Sequence, residues 1–162
     1  MGNYKVILFL LPFLGFSQPY VKVSFDPNQA LLVVDNPRQK QDVRGLDYDA
    51  ELGVRDGKFG VYVFGGAFQE IDYQNYGYGV DFYPNVIPNL ETSIGVGHGF
   101  LVRRFEDDWG AVMAFHFRAV ATYFITDHIG IGGRLQYQQR PINSSFGIIE
   151  GHIEIKYRFD VR

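Results

Sequence analysis

The sequence predicts an all-β fold, and three features support that prediction. Aromatic residues make up 17% of the 162 residues, with 11 Tyr and 15 Phe, and aromatic side chains favour strands. The chain also contains 19 Gly, which suit turns and crowded sheet interiors. From Gly45 onward, apolar and polar residues alternate with a period of two, and no segment keeps a helical period.

The first 17 residues have the layout of a secretory signal peptide. A polar start with Lys5 precedes an apolar run from Val6 to Phe16, and the small residues Gly15 and Ser17 lie three and one residues before Gln18. This run is shorter than the roughly 20 apolar residues of a membrane-spanning helix. We therefore expect residues 1–17 to be a signal peptide that is cleaved after Ser17.

The chain after Gly45 contains seven segments with strand signals, separated by turn-forming residues. They cover residues 47–55, 59–68, 76–83, 90–102, 109–125, 129–140 and 150–162. The pair Asp56-Gly57 predicts a tight hairpin between the first two segments. The alternation does not orient residues 59–68, because valines share one face and aromatic residues share the other. The polar stretch 103–108 is predicted to be a solvated outer loop.

The closing segment raises the question of what each face of a strand contacts. Its apolar face carries isoleucines and aromatic residues, while every residue on the other face is ionisable: His152, Glu154, Lys156 and Arg158. A soluble barrel would bury the apolar face in its core, whereas a membrane barrel would turn that face toward lipid. The alternation alone is compatible with both arrangements.

Three further observations favour the membrane arrangement. Several segments exceed the ~9–11 residues that a tilted strand needs to cross the hydrocarbon layer. The polar face mixes Gly and Ser with acids and bases, which suits a narrow lumen where opposite charges pair. Aromatic residues lie near strand ends, as in interfacial girdles: Tyr48, Tyr76, Phe82, Tyr83, Phe100, Trp109, Tyr123, Tyr137, Tyr157 and Phe159.

These observations predict a closed antiparallel transmembrane β-barrel of about eight strands, preceded by a signal peptide. The polar face is expected to form an ionic network in the lumen, made of Asp49, Glu51, Asp81, Glu91, His116, Arg118, Arg134, His152, Glu154, Lys156 and Arg158. Bacterial outer-membrane barrels have an even number of strands, so an eighth strand must precede Gly45. Residues 20–25 are preferred over 30–34, with 26–45 as a long loop or partial plug. The domains are then the signal peptide, an N-terminal segment 18–46 and a barrel 47–162.

The segments "YVKVSFDP", "VDFYPNVIPNLETSIGVGHGF" and "YFITDHIGIGGRLQYQQR", with the alternating C-terminal strand, carry a family resemblance. The sequence resembles small outer-membrane barrels of the OmpA/OmpX type, and in particular the porin-like barrels of Bacteroidota. The resemblance covers most of the mature chain, but its motifs are architectural. It implies location in the outer membrane of a Gram-negative bacterium, in contact with lipid and lipopolysaccharide. Outer loops near residues 70–75, 103–109 and 140–147 could then bind a partner protein.

One feature departs from that resemblance. Many such barrels end on an aromatic residue that the assembly machinery recognises. Here Phe159 is followed by Asp160, Val161 and Arg162, so the signal is displaced from the C-terminus.

Several kinds of chemistry are not expected. A net charge of −3 and the lack of a Lys/Arg run argue against nucleic-acid binding. Zero Cys excludes disulfides, thiolate metal sites and a Cys nucleophile. His128 and His152 have no partners at metal-ligand spacing, and no cofactor motif is present, so we expect neither a metal nor a cofactor. His98 has the parity of the lipid face and is expected near the rim.

The predicted role is non-enzymatic: structural, adhesive or accessory, with a lumen filled by side chains. One alternative is an enzyme that modifies lipid A or phospholipid, with His116 as base and Glu91 or Arg134 nearby. Outer-membrane lipid A deacylases carry a His-x-Ser pair, and here the third position is Arg118, so the nucleophile is missing. The other alternative is a soluble exported lipocalin-like barrel that binds an apolar ligand, with both faces reversed.

Overall fold

A closed antiparallel barrel is formed by the residues that the computed structural model describes, namely 18–27, 32–33, 47–68, 73–84, 86–105, 108–139 and 147–160. Their strands are β1 (Gln18–Phe25), β2 (Leu32–Val33), β3 (Asp47–Asp56), β4 (Phe59–Phe68), β5 (Tyr73–Phe82), β6 (Val86–Ile87), β7 (Leu90–Phe105), β8 (Asp108–Phe124), β9 (Ile129–Gln139) and β10 (Gly147–Arg158). The predicted fold class is therefore confirmed. No helix within these ranges is long and apolar enough to cross a membrane.

Eight long strands form the wall, in the order β1-β3-β4-β5-β7-β8-β9-β10, and β10 pairs with β1 to close it. The closing ladder runs from Tyr20 opposite Arg158 to Phe25 opposite Ile153. The first strand thus comes from the preferred N-terminal segment, so the wall includes residues before Asp47. The rival segment supplies the two-residue strand β2, which pairs with β10. The signal peptide and most of 26–45 lie outside the described residues.

The two ends of the barrel differ. At one, the turn end, lie the β3–β4, β6–β7 and β8–β9 turns, the start of β1 and the end of β10. Asp56 pairs with Phe59, so the first turn consists of Gly57 and Lys58, one residue later than predicted. Gly57 has φ 56°, a left-handed conformation that glycine adopts without a steric penalty. The opposite end, the loop end, carries the connections that leave β1, β4, β7 and β9.

The β7–β8 hairpin is longer than the sequence predicts. Its ladder continues to the pair of Phe105 with Asp108, so a loop over residues 103–108 is wrong. Among the described residues, the pairing of β8 with β9 begins at His116, so the part of the β7–β8 hairpin nearest the loop end extends beyond the described part of β9. Polar composition marks where a strand leaves an apolar layer, but it does not mark where the backbone ladder stops.

Along the strands, the polar residues are mostly buried and the apolar residues are mostly exposed, as expected for a membrane barrel. On β10, Ile155 is 51% exposed, whereas Glu154 and Lys156 on either side are 0% and 2% exposed. On β4, which the sequence left unoriented, Val61 and Val63 face outward and Tyr62 faces the lumen. The outside of the wall is apolar and the inside is polar. This orientation confirms the predicted membrane arrangement and is the reverse of a soluble barrel with an apolar ligand.

Among the predicted girdle residues whose side chains are described, all face outward except Tyr83. Tyr83 is buried in the lumen, because the alternation continues past the end of β5: Asp81 inward, Phe82 outward, Tyr83 inward. Its assignment to a girdle was wrong. Phe82 is partly exposed, the Trp109 side chain lies outside the described set, and the other members are exposed: Tyr48, Tyr76, Phe100, Tyr123, Tyr137, Tyr157 and Phe159.

His98 stands on the outer face, as its parity predicts. It is half-buried, and its ring lies 4.9 Å from the Phe115 ring and 5.8 Å from the Tyr78 ring. Neighbouring aromatic rings therefore shield the imidazole of this lipid-facing residue.

We expect Leu135→Arg to destabilise the barrel far more than Ile125→Arg, although both side chains are exposed. Leu135 lies within β9, where arginine would enter the hydrocarbon layer at a cost of about 2–4 kcal/mol. Ile125 follows β8 at the turn end, where the cost falls to about 0–1 kcal/mol. Urea unfolding from lipid vesicles measures both. Equal, small effects would mean that Leu135 faces water.

The ionic lumen as candidate functional site

The centre of the lumen holds an ion cluster built around Arg118 of β8. Its Nη1 donates to Glu51 Oε2 at 2.5 Å, and its Nε and Nη2 donate to Asp81 Oδ1 and Oδ2 at 2.9 and 2.5 Å. Lys22 Nζ lies 3.1 Å from Glu51 Oε1 and 3.6 Å from Glu154 Oε2. All five side chains are buried, so their charges interact with one another more than with water.

A second cluster lies at the turn end, where three cations share one carboxylate. Glu91 Oε2 accepts hydrogen bonds from Arg55 Nη1 at 2.5 Å and from Arg158 Nη2 at 2.8 Å, while Oε1 accepts one from Lys156 Nζ. Aromatic rings lie against these cations. Arg158 Cζ is 3.2 Å from the Phe124 ring centroid, and the same arrangement places Arg55 against Tyr83 at 4.2 Å.

A third cluster, near the loop end, is rich in carboxylates. Arg134 pairs with Asp49, and His152 lies 4.0 Å from Asp49 and 3.6 Å from Glu150. Asp47 is buried in the same region of β3. The described cations are therefore fewer here than the carboxylates.

His116 belongs to none of these ion clusters. Its Nε2 lies 2.8 Å from Tyr62 Oη, and its ring meets the Phe64 ring edge-on at 4.9 Å. The Arg118 guanidinium stacks over the same tyrosine ring at 3.5 Å. The described hydrogen bond of His116 Nε2 is therefore to a phenol, not to the serine or threonine hydroxyl that a His-activated nucleophile would supply.

Glycines on the inner face provide the space that these side chains occupy. A Cβ atom on Gly79 would lie 2.2 Å from Tyr62 Oη, and one on Gly97 would lie 2.2 Å from His116 Nε2. Large side chains on one strand therefore pack over glycines on a neighbouring strand.

All eleven residues of the predicted network face the lumen. Their partners are not always the residues on neighbouring strands that the sequence predicts. Arg118 and His116 were expected near Glu91 or Arg134, on neighbouring strands. Arg118 instead reaches across the lumen to Glu51 on β3. Sheet register predicts lateral neighbours, whereas contacts across a barrel depend also on strand tilt and stagger.

Other lumen residues were missed. The inward face of β1 carries Tyr20, Lys22 and Ser24, opposite Val21 and Val23. The same parity that oriented the later strands could have found Lys22. Within the described part of the chain, no group of three acidic or histidine side chains is arranged to hold a metal ion.

A closed wall of eight antiparallel strands, apolar outside and ionic inside, has the fold of a transmembrane β-barrel with a filled lumen. No protein-family model matches the chain, and no curated protein matches it.

Solved structures share this fold. The chain is similar to the N-terminal β-barrel domain of Pseudomonas aeruginosa OprF, with a TM-score of 0.62, 12% identity and coverage of 88% of this chain and 97% of that one. For the Yersinia pestis outer membrane protein Ail in a phospholipid bilayer nanodisc, the values are 0.57, 10%, 88% and 99%. For a de novo designed transmembrane β-barrel, they are 0.56, 16%, 88% and 95%. At sequence identities this low, similarity to these structures establishes the fold of the chain and nothing more.

We expect Arg118→Met to lower the free energy of unfolding by about 3–5 kcal/mol, because it leaves Glu51 and Asp81 charged without their arginine. Unfolding in urea from lipid vesicles measures the loss. Lys58→Met, on the exposed turn, is the control and should change stability by less than about 0.5 kcal/mol. Adding Glu51→Gln and Asp81→Asn to Arg118→Met should recover much of the loss. An unchanged unfolding midpoint for Arg118→Met alone would contradict a stabilising network.

Proposed function

We propose that this chain is a non-enzymatic integral outer-membrane β-barrel protein of a Gram-negative bacterium, with a structural, adhesive or accessory role. The observation that carries the proposal is the inverted burial of the wall: Leu52 and Leu135 are exposed while Glu51 and Arg134 beside them are buried. Such a wall is stable only where its outside contacts acyl chains. Its immediate surroundings are then outer-membrane lipid and lipopolysaccharide.

The finer family assignment is also a proposal. The hairpin motifs around residues 80–100 and 123–140 resemble OmpA/OmpX-type barrels, and in particular those of Bacteroidota. The N-terminal layout supports export through a signal peptide cleaved after Ser17. Similarity to outer-membrane proteins such as OprF and Ail supports the same location.

A partner protein, if there is one, is proposed to bind at the loop end. Bacterial barrels keep short turns on the periplasmic side and longer loops outside. In that orientation the β7–β8 hairpin, which continues past the start of β8–β9 pairing at His116, extends outward. It offers a surface beyond the membrane for contact with another molecule.

A pair of epitope insertions tests both location and orientation. In intact cells, we expect antibody to bind a tag inserted between Glu106 and Asp107, in the β7–β8 connection. A tag between Gly57 and Lys58, at the turn end, should bind antibody only after the outer membrane is permeabilised. Both variants should fractionate with outer membranes and show heat-modifiable migration on gels. Recovery of the untagged mature chain in the periplasmic supernatant without detergent would refute the proposal.

The filled lumen predicts negligible ion conductance. Side chains that cross it, such as Arg118 bound to both Glu51 and Asp81, occupy the path that water would need. The purified barrel inserted in planar lipid bilayers should therefore give no steady conductance steps above the protein-free bilayer. Large, stable steps would contradict a filled lumen, while leaving the membrane location intact.

A further inference from the structure

The cluster of cations at the turn end borders an open cavity. A volume of about 430 Å³ is lined by Arg55, Glu91 and Arg158, together with neutral groups that include Gln18 and Asn89. This is large enough for a polyatomic ion, and it opens at the end of the barrel where the turns and chain ends meet.

Positive charge is in excess at the floor of this cavity. Arg55, Lys156 and Arg158 all converge on the single carboxylate of Glu91. The other acid on the described lining is Asp127, which lies on the exposed β8–β9 turn. The described lining carries two arginines and two acids, and Lys156, which is not part of the lining, adds a third cation bonded to Glu91. Among the described ion pairs, Glu91 is the acid bonded to all three cations.

The two arginines also retain unused donors. An arginine has five N–H donors, and one carboxylate oxygen cannot satisfy two guanidinium groups. Arg158 Nε is buried and has no hydrogen-bond acceptor among the described residues. Arg55 Nε is committed to the Gly57 carbonyl at 2.9 Å, but only its Nη1 meets Glu91.

The guanidinium groups are held in place before any ligand arrives. Both donate to the same oxygen, Glu91 Oε2, so they are adjacent. The Tyr83 ring packs against Arg55 and the Phe124 ring packs against Arg158. Two adjacent, fixed guanidinium groups match the geometry of carboxylate and phosphate oxygens, and little side-chain entropy remains to be lost on binding.

We propose that this cavity binds a small oxyanion, with carboxylate or phosphate oxygens bridging Arg55 and Arg158. Glu91 is the internal competitor for the same donors, and Lys156 beneath it adds a positive field. In the orientation proposed above the site opens to the periplasm, but binding itself does not depend on that orientation.

Calorimetric titration of the mature barrel in detergent micelles tests this site. The probes are sodium citrate and sodium phosphate, with chloride used to hold ionic strength constant. Saturable binding of at least one oxyanion is expected, and the tighter one identifies the ligand class. Arg55→Gln and Arg158→Gln should each weaken binding by about tenfold, because each removes a charge-assisted hydrogen bond. Lys58→Gln removes a cation from the same end but outside the cavity lining, and should change affinity by less than about twofold.

Glu91→Gln provides a test of opposite sign. It removes the competing carboxylate, so oxyanion affinity should rise, and citrate or phosphate should raise the thermal unfolding midpoint of this variant more than that of the wild type. Heat-modifiable migration on gels shows which variants are folded. If Glu91→Gln does not fold, the affinities of the Arg55→Gln and Arg158→Gln variants test the proposal. The proposal is overturned if neither oxyanion binds beyond chloride, or if the doubly substituted Arg55→Gln, Arg158→Gln barrel binds as well as the wild type.

Discussion

The return of β10 to β1 is the constraint on which the rest of the structure depends. An unpaired N–H or C=O group costs several kcal/mol in hydrocarbon, so a sheet can cross a membrane only when it has no free edge. Closure with eight long strands fixes a lumen that side chains can just fill. Residues that face inward therefore meet their counterparts from the opposite wall, and their charges must be complementary because there is little water to separate them.

That confinement explains why the polar face alternates between large ionic residues and glycine. Tyr62 and His116 fill the space left at Gly79 and Gly97, and Arg118 spans the remaining gap to the far wall. The network also fixes register. A slip of one residue on any strand would turn its charges toward lipid, at a cost far above the worth of the ion pairs themselves. Buried ion pairs add little net stability over apolar packing of the same volume, whereas removal of one partner from a pair is strongly destabilising.

On strands whose two faces differ clearly in polarity, parity was sufficient to predict which side chains enter the lumen, but it left β4 unoriented. The alternation of β10 placed Glu154 and Lys156 inside, and the structure agrees. Closeness to a strand end was a poorer guide than parity. Tyr83 was assigned from its closeness to a strand end, although its parity with Asp81 points inward. The partners of Arg118 could not be predicted, because they depend on tilt and stagger, which a single sequence does not encode locally.

The wall itself carries little information about biological role, since a designed sequence with no natural history reaches the same fold. What distinguishes one such barrel from another must then lie at its two ends. Here the described charges are separated along the axis: Arg55, Lys156 and Arg158 surround one acid at the turn end, whereas carboxylates outnumber Arg134 near the loop end. In the solution outside the barrel, physiological salt screens the field of each set within about 8 Å. Each set of charges therefore acts on the solution at its own end of the barrel.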